Sequence, residues 1–303
     1  MGDGGGGRLG PLMARRSTVL DEIASLDPGR DHQRIARLSA GVDFPWDTRR
    51  AYEIALLKTL AVPSSSRLLV ATDEFIERTA KRHDDTVAII ATLGLMGYDS
   101  PQGREALRIM NRAHRAYVIP AEEYRYTLAL FALEPIRFNA RFGWRPLLEV
   151  ERQAGFEFWR AIGERMNIPD VPVDLAAMET EAAAFERDHV GYDPANRRLL
   201  DATVAEIVRR TLPLSSAARG WAERAVLWGL PPLLGERSTE AFGLPPATQA
   251  SLRLVEGALR ARSAARRLAP ARSEVARLPH LPTYPDGVQW ADVGPPHARR
   301  NRT

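Results

Sequence analysis

Two short stretches decide the fold of this chain: KRHDDTVAII, residues 81–90, and IMNRAHRAY, residues 109–117. Arg82 and Thr86 stand four residues apart in the first stretch, so on a helix both project from one face, roughly 6 Å apart. In the second stretch, His114 falls on the apolar stripe of its own predicted helix. A histidine directed into an apolar cavity, opposite a guanidinium and a hydroxyl, suits an iron or haem site. The two stretches therefore predict two helices that border one pocket.

The rest of the sequence has the same helical periodicity, interrupted by proline-containing turns. One predicted helix carries His114 between Pro101 and Pro120, and a strongly apolar helix follows it from about residue 122, which we expect at the centre of the fold. The other predicted helices span about 19–26, 48–60 (with Asp47 as N-cap), 65–81, 82–96, 145–166, 174–189, 194–211, 215–229 and 248–268. No segment alternates with period two for long enough to form a strand. We therefore predict an all-α fold, a multi-helix globular bundle that encloses the pocket.

The composition divides the chain into three predicted parts. Residues 1–30 begin with a glycine-rich run and should form a flexible segment. Residues 31–230 should form the helical core. Residues 231–303 should form a C-terminal helix and an irregular proline-rich tail that pack on this core.

Overall composition excludes several classes of protein. The chain has 303 residues, of which 45% are hydrophobic, so it is long enough to bury a sizeable core. It has no cysteine, which excludes disulfides, thiolate ligation of haem and iron–sulfur clusters. The net charge of +4 is spread along the chain, so we expect no nucleic-acid partner. No apolar run approaches the length of a membrane span, and no apolar segment follows Arg15-Arg16; we expect a cytoplasmic protein without stable membrane insertion.

Each candidate residue also has an ordinary structural interpretation that the sequence leaves open. His114 can be a buried histidine whose ring is satisfied by the backbone. Arg82 can pair with Asp85 or with a helix end, and Thr86 can donate back to the carbonyl of residue 82. Three consecutive residues, His-Asp-Asp at 83–85, cannot converge on one metal ion from a helix. The nucleophile-elbow, dinucleotide, phosphate-loop and zinc-protease motifs are absent.

Several segments together resemble a known family. They are RHDDT (82–86), MNRAH (110–114), YRYTL (124–128), GWRPL (143–147), and YPDG (284–287) with GP (294–295). Their order and spacing resemble the family of b-type haem oxygenases that contains bacterial latex-clearing rubber oxygenases and the fungal enzyme that cleaves a farnesyl chain in mycophenolic acid biosynthesis. The resemblance covers about residues 35–295 and is closer to the mycophenolate-pathway branch.

This resemblance implies an all-α fold that holds a non-covalent haem b, with His114 as the axial ligand of the iron. Arg82 and Thr86 match the Arg-x-x-x-Thr motif of the family's haem pocket and are the implied catalytic pair. The implied activity is a haem-dependent oxygenase that uses O2 on a hydrophobic, unsaturated small molecule of the isoprenoid or secondary-metabolite kind, with cleavage of a carbon–carbon double bond. The sequence names neither the substrate, the electron source nor the oligomeric state.

One departure from the family's pattern concerns the substrate. The rubber-cleaving branch has a lysine directly before the motif threonine, whereas this chain has Asp85. The catalytic glutamate of that branch has no counterpart at the right spacing, since Glu74 and Glu77 do not fit. Rubber is therefore not the expected substrate. Two other functions stay open: a non-catalytic haem-binding or sensor protein, and a cofactor-free interaction protein that uses the arginine-rich helix near 248–268.

Overall fold

The computed structural model describes residues 19–295, except residues 73, 271, 273 and 274. Within these residues the chain is helical and contains no strand, so the predicted all-α class is confirmed. In chain order the helices are α1 (19–25), α2 (His32–Leu38), α3 (Pro45–Thr59), α4 (Pro63–Ala71), α5 (Glu74–Glu77), α6 (Thr79–Met96), α7 (Pro101–His114), α8 (Ala121–Phe142), α9 (Glu149–Arg165), α10 (Leu175–His189), α11 (Pro194–Thr211), α12 (Ser216–Gly229), α13 (Pro231–Leu234), α14 (Glu236–Ala241) and α15 (Gln249–Leu268).

The predicted division of the chain into three parts, 1–30, 31–230 and 231–303, stays a prediction. Residues 1–18 of the predicted flexible segment lie outside the described residues, while 19–25 form α1. The limits at residues 30 and 230 stay predictions. No single helix in the described part of the chain is long and apolar enough to cross a membrane. Helices α3 and α4, which are bent by 87° relative to each other, reach that length and apolar composition only when they are taken together.

The apolar helix α8 lies at the centre of the fold. The side chains of residues 128–133 are at most 7% exposed, so this stretch is buried on every side. It packs against α3, α9 and α10, and Phe131 stacks on Trp159 of α9 with ring centroids 4.8 Å apart. A helix with so little polar surface is stable only when other helices cover it, which places α8 in the core. Its neighbours then define the walls of the cavity described below.

The predicted helix over residues 65–81 is wrong. The chain there forms two short helices, α4 and α5, and α6 then begins at Thr79. Threonine hydroxyls accompany these breaks: Thr72 donates to the carbonyl of Leu69 (2.8 Å), and Thr79 donates to that of Phe75 (2.7 Å). Threonines that bond back to the preceding turn weaken and bend helices. Residues of α4, α5 and α6 all line the cavity described below.

The predicted N-cap at Asp47 is also wrong. Helix α3 begins two residues earlier, at Pro45, whose fixed φ suits the first helical position. The Asp47 side chain is buried and instead accepts hydrogen bonds from both terminal nitrogens of Arg262, at 2.9 and 3.3 Å. The Arg262 guanidinium also lies over the ring of Trp46, 3.6 Å from its centroid. Arginine residues of α15 therefore help to dock this helix on the core.

Candidate active site

A cavity of about 270 Å³ lies between the central helices and the C-terminal tail. All three sequence candidates, Arg82, Thr86 and His114, line it. Most of its wall is apolar and comes from α3, α4, α5, α6, α7, α8 and α9: Leu56, Leu68, Leu69, Phe75, Ile89, Ile90, Leu93, Met110, Leu128, Phe131 and Trp159. An enclosed apolar space with a few converging polar groups is the usual form of a small-molecule site. The structure thus brings the two sequence stretches together in one cavity wall.

His114 is the last residue of α7, which ends three residues before Tyr117. The helix starts at Pro101, as predicted, and Ser100 is its N-cap: the Ser100 Oγ accepts from the Gly103 amide at 2.9 Å. The His114 ring packs edge-on against Tyr124, with centroids 5.5 Å apart. Its Nδ1 is buried and has no hydrogen-bond partner among residues 19–295 as described. The ordinary interpretation, a histidine whose ring is satisfied by the backbone, therefore fails at this nitrogen.

The charge state of His114 follows from its surroundings. Burial in the apolar wall, helped by the positive charge of Arg82, lowers the pKa of His114 from 6.5 to about 4. The imidazole is therefore neutral near pH 7, the form in which histidine binds a metal. A buried polar nitrogen without a partner is costly, and binding to a metal would remove that cost. The donor set of this cavity fits a single axial haem ligand.

Arg82 and Thr86 lie on α6 and both line the cavity. The Thr86 hydroxyl donates its proton to the Arg82 carbonyl at 2.9 Å. This is the hydrogen bond to the preceding turn that the sequence left open as the ordinary role of this threonine. The oxygen lone pairs of Thr86 remain able to accept a hydrogen bond. Arg82 supplies a cation close enough to His114 to affect its pKa. The cavity thus combines a neutral imidazole, a guanidinium and a hydroxyl oxygen.

Asp85, directly before Thr86, binds the C-terminal tail. Its carboxylate accepts hydrogen bonds from Lys81 Nζ (2.7 Å to each oxygen), from the Tyr284 hydroxyl and from the Gly294 amide (3.0 Å). Lys81 also donates to the carbonyl of Asp292 at 2.9 Å. Gly294 and the residue after it line the cavity. The tail, irregular as predicted apart from a 3₁₀ turn at Trp290–Asp292, therefore forms part of the cavity wall.

Asp84 holds the same tail from the next position. Its fully buried carboxylate accepts from Arg210 of α11 and from the Thr283 amide (2.9 Å), and Arg210 also donates to the carbonyl of Ala80 (2.8 Å). Burial alone would raise the pKa of Asp84, but the hydrogen bonds from Arg210 and Thr283 outweigh it and lower this pKa. Sequence reasoning missed this role because about 200 residues separate Asp84 from Thr283, and no local signal pairs them.

The acidic residues near the cavity differ from those that the sequence singled out. Glu77 is exposed and is not part of the wall, and the Glu74 side chain lies outside the described part. Glu123, which sequence reasoning did not select, lines the cavity and is only 8% exposed. An acid in the first turn of a helix is ordinary, so no sequence signal marks it as special. Among the described residues, no three histidine or acidic side chains form a metal-binding group.

The comparisons with known proteins place the chain in a family. Residues 53–267 match the family model described as "ER-bound oxygenase mpaB/B'/Rubber oxygenase, catalytic domain". The ER-bound oxygenase mpaB of Penicillium roqueforti is 35% identical over 196 residues, which are 58% of this chain and 65% of that protein. In Penicillium brevicompactum, mpaB and mpaB' are each 29% identical over 195 residues, 57% of this chain and 49% and 45% of those proteins. The matched region thus spans about half to two thirds of these curated relatives. The chain belongs to the mpaB and rubber oxygenase family.

Proposed function

We propose that this chain is a haem-dependent oxygenase that uses O2 to cleave a carbon–carbon double bond in a hydrophobic, unsaturated small molecule. The observation that carries the proposal is the partnerless, buried Nδ1 of His114 in an apolar cavity that Arg82 and Thr86 also line. Membership of an oxygenase family supports the use of O2. The relatives are named as ER-bound, so a cytoplasmic location stays our prediction for this chain.

The residues present fit a haem b with one axial histidine. His114 would bind the iron as a neutral imidazole, because its lowered pKa leaves a lone pair available. Arg82 would hold a propionate carboxylate through charge-assisted hydrogen bonds. When bound, the haem supplies the iron centre at which O2 is activated.

The remaining side chains would bind and shield the substrate. Leu128, Phe131 and Trp159 offer apolar surface that suits an alkene and excludes water. The tail closes one side through Asp85 and Gly294. Lys81 compensates the charge of Asp85, so this carboxylate can lie beside the apolar cavity without an unpaired negative charge.

A visible spectrum of the purified protein tests this function. We expect about one haem per chain with a Soret band, either as purified or after addition of hemin, and O2 uptake with a panel of terpenoid alkenes. Haem binding without O2 uptake would favour the non-catalytic haem-binding or sensor protein. A colourless protein that takes up no hemin would end the oxygenase proposal and favour the interaction protein.

Arg82→Ala should reduce haem affinity or turnover by roughly ten- to a hundred-fold, because a hydrogen bond to a charged group contributes about 1.5–3 kcal/mol. Thr86→Val keeps the shape of the side chain and removes the hydroxyl oxygen, so haem should stay bound while the rate of O2 uptake changes. Haem titration and O2 consumption of both variants measure these effects. Arg108→Ala is the control, since Arg108 lies half-exposed on α7, outside the cavity wall as described, and pairs with Glu105 of the same helix. Equal, negligible changes in all three variants would show that Arg82 and Thr86 are ordinary helix residues.

A further inference from the structure

Glu123 is a buried carboxylate in the wall of the cavity, and its partners are two hydroxyl groups. Oε1 accepts from Ser64 Oγ and Oε2 accepts from Ser65 Oγ, each at 2.5 Å. A carboxylate accepts up to about four hydrogen bonds, so these two leave part of its capacity unused. Because the cavity wall is mainly apolar, we expect further hydrogen bonds to the Glu123 carboxylate to come from a molecule bound in the cavity.

Glu123 lies where two helices begin. Glu123 is the third residue of α8, and Ser64 and Ser65 are in the first turn of α4. The carboxylate therefore lies at the N-termini of two helices, whose positive dipole ends attract negatively charged groups. Asp85, the other acid in the wall, differs because Lys81 and the tail already occupy its oxygens.

We infer that Glu123 recognises a hydroxyl group on the substrate, which makes the substrate class an apolar, unsaturated alcohol. A neutral donor is favoured over an ammonium group because Arg82 lines the same cavity, where its positive charge acts on His114 and would repel a second cation. The hydroxyl would orient the apolar chain along the cavity, so Glu123 determines specificity. This inference rests on one part of the proposed function, namely that the substrate binds in this cavity.

Two probes with the same carbon chain test the inference: geraniol and its methyl ether, which lacks the donor. Isothermal titration of the protein as purified should show geraniol binding roughly ten- to a hundred-fold more tightly than the ether, as expected for a charge-assisted hydrogen bond. Glu123→Gln should reduce this preference to a few-fold, and Glu123→Leu should remove it while affinity for the ether is kept. Thr127→Val is the matched control: it removes a hydroxyl from the same wall, one turn further along α8, and should leave the preference unchanged.

A purely structural role for Glu123 predicts a different result. If this carboxylate only joins α4 to α8, Glu123→Gln lowers the melting temperature and the preference for the alcohol persists. That result would overturn the inference, as would equal affinity for the two probes, or no binding of either, in the wild-type protein. The binding ratio requires no turnover, so it can be measured even if the haem spectrum contradicts the proposed function.

Discussion

Replacing His114 with alanine should abolish the haem Soret band of the protein. The imidazole is the only histidine ring in the described cavity wall, so the variant leaves no imidazole there to bind the iron. The ring contributes packing against Tyr124, which the variant loses. The Nδ1 of His114 has no partner in the described part of the chain, so removing the ring breaks no hydrogen bond at that atom. The fold should therefore survive, which circular dichroism would verify beside the visible spectrum. Added imidazole should restore part of the absorbance if the vacated space admits it.

Four of the five other histidines serve as controls because each has a different environment. His32 bonds to the Tyr98 hydroxyl, His189 stacks on Phe185, and His280 is exposed. His297 lies outside the described residues. Alanine at any of these four positions should leave the Soret band unchanged, although His32→Ala should reduce stability. A Soret band that depends on one of them, and not on His114, would show that the assignment of the axial ligand is wrong.

Asp84→Ala should lower the free energy of unfolding by about 1.5–3 kcal/mol, the usual contribution of hydrogen bonds to a charged group. The variant removes the fully buried carboxylate that accepts from Arg210 and from the Thr283 amide, while Arg210 keeps its ion pair with Glu206. Chemical denaturation monitored by tryptophan fluorescence measures this change. Asp188→Ala is the matched control, since its ion pair with Arg187 is exposed and such pairs contribute about 0–1 kcal/mol. Similar small losses in both variants would show that Asp84 does not anchor the tail.

The contribution of Asp84 should also depend on pH, with a defined sign. Its pKa in the folded protein lies below the ordinary value of 3.8, so below that value the unfolded chain binds the proton more readily. The stabilisation is therefore fully present above the unfolded pKa and is lost as the pH falls through the folded pKa. The difference in unfolding free energy between wild type and Asp84→Asn should decrease over that acidic range. A difference independent of pH would contradict the assigned ion pair.

Helix starts were predictable where the signal is local. Ser100, Asp174 and Asp193 each accept a hydrogen bond from a backbone amide two or three residues later, and each precedes a helix that was predicted near its observed start. Such caps need only a few neighbouring residues, so the sequence contains all the information they require. Periodicity likewise placed His114 on the apolar face of its helix.

Errors arose where a distant partner changes a local preference. Asp47 has the residue type of an N-cap, yet Arg262 takes its carboxylate and α3 begins at Pro45. The segment 65–81 has helical periodicity, but it forms α4, α5 and the start of α6 instead of one helix. A tertiary ion pair or the packing of a segment in the folded protein outweighs the fraction of a kilocalorie that separates local alternatives.

The sequence by itself therefore determined the helical class, most helix limits and the three residues, Arg82, Thr86 and His114, that share one cavity. Only the tertiary structure decided that Asp84 and Asp85 hold the tail, and that Glu123 contributes a carboxylate to the wall. The reason is physical: helices depend on contacts between residues three or four apart, which periodicity records. An ion pair or a cavity wall depends on segments that meet only after folding, and residue types alone do not specify which segments meet.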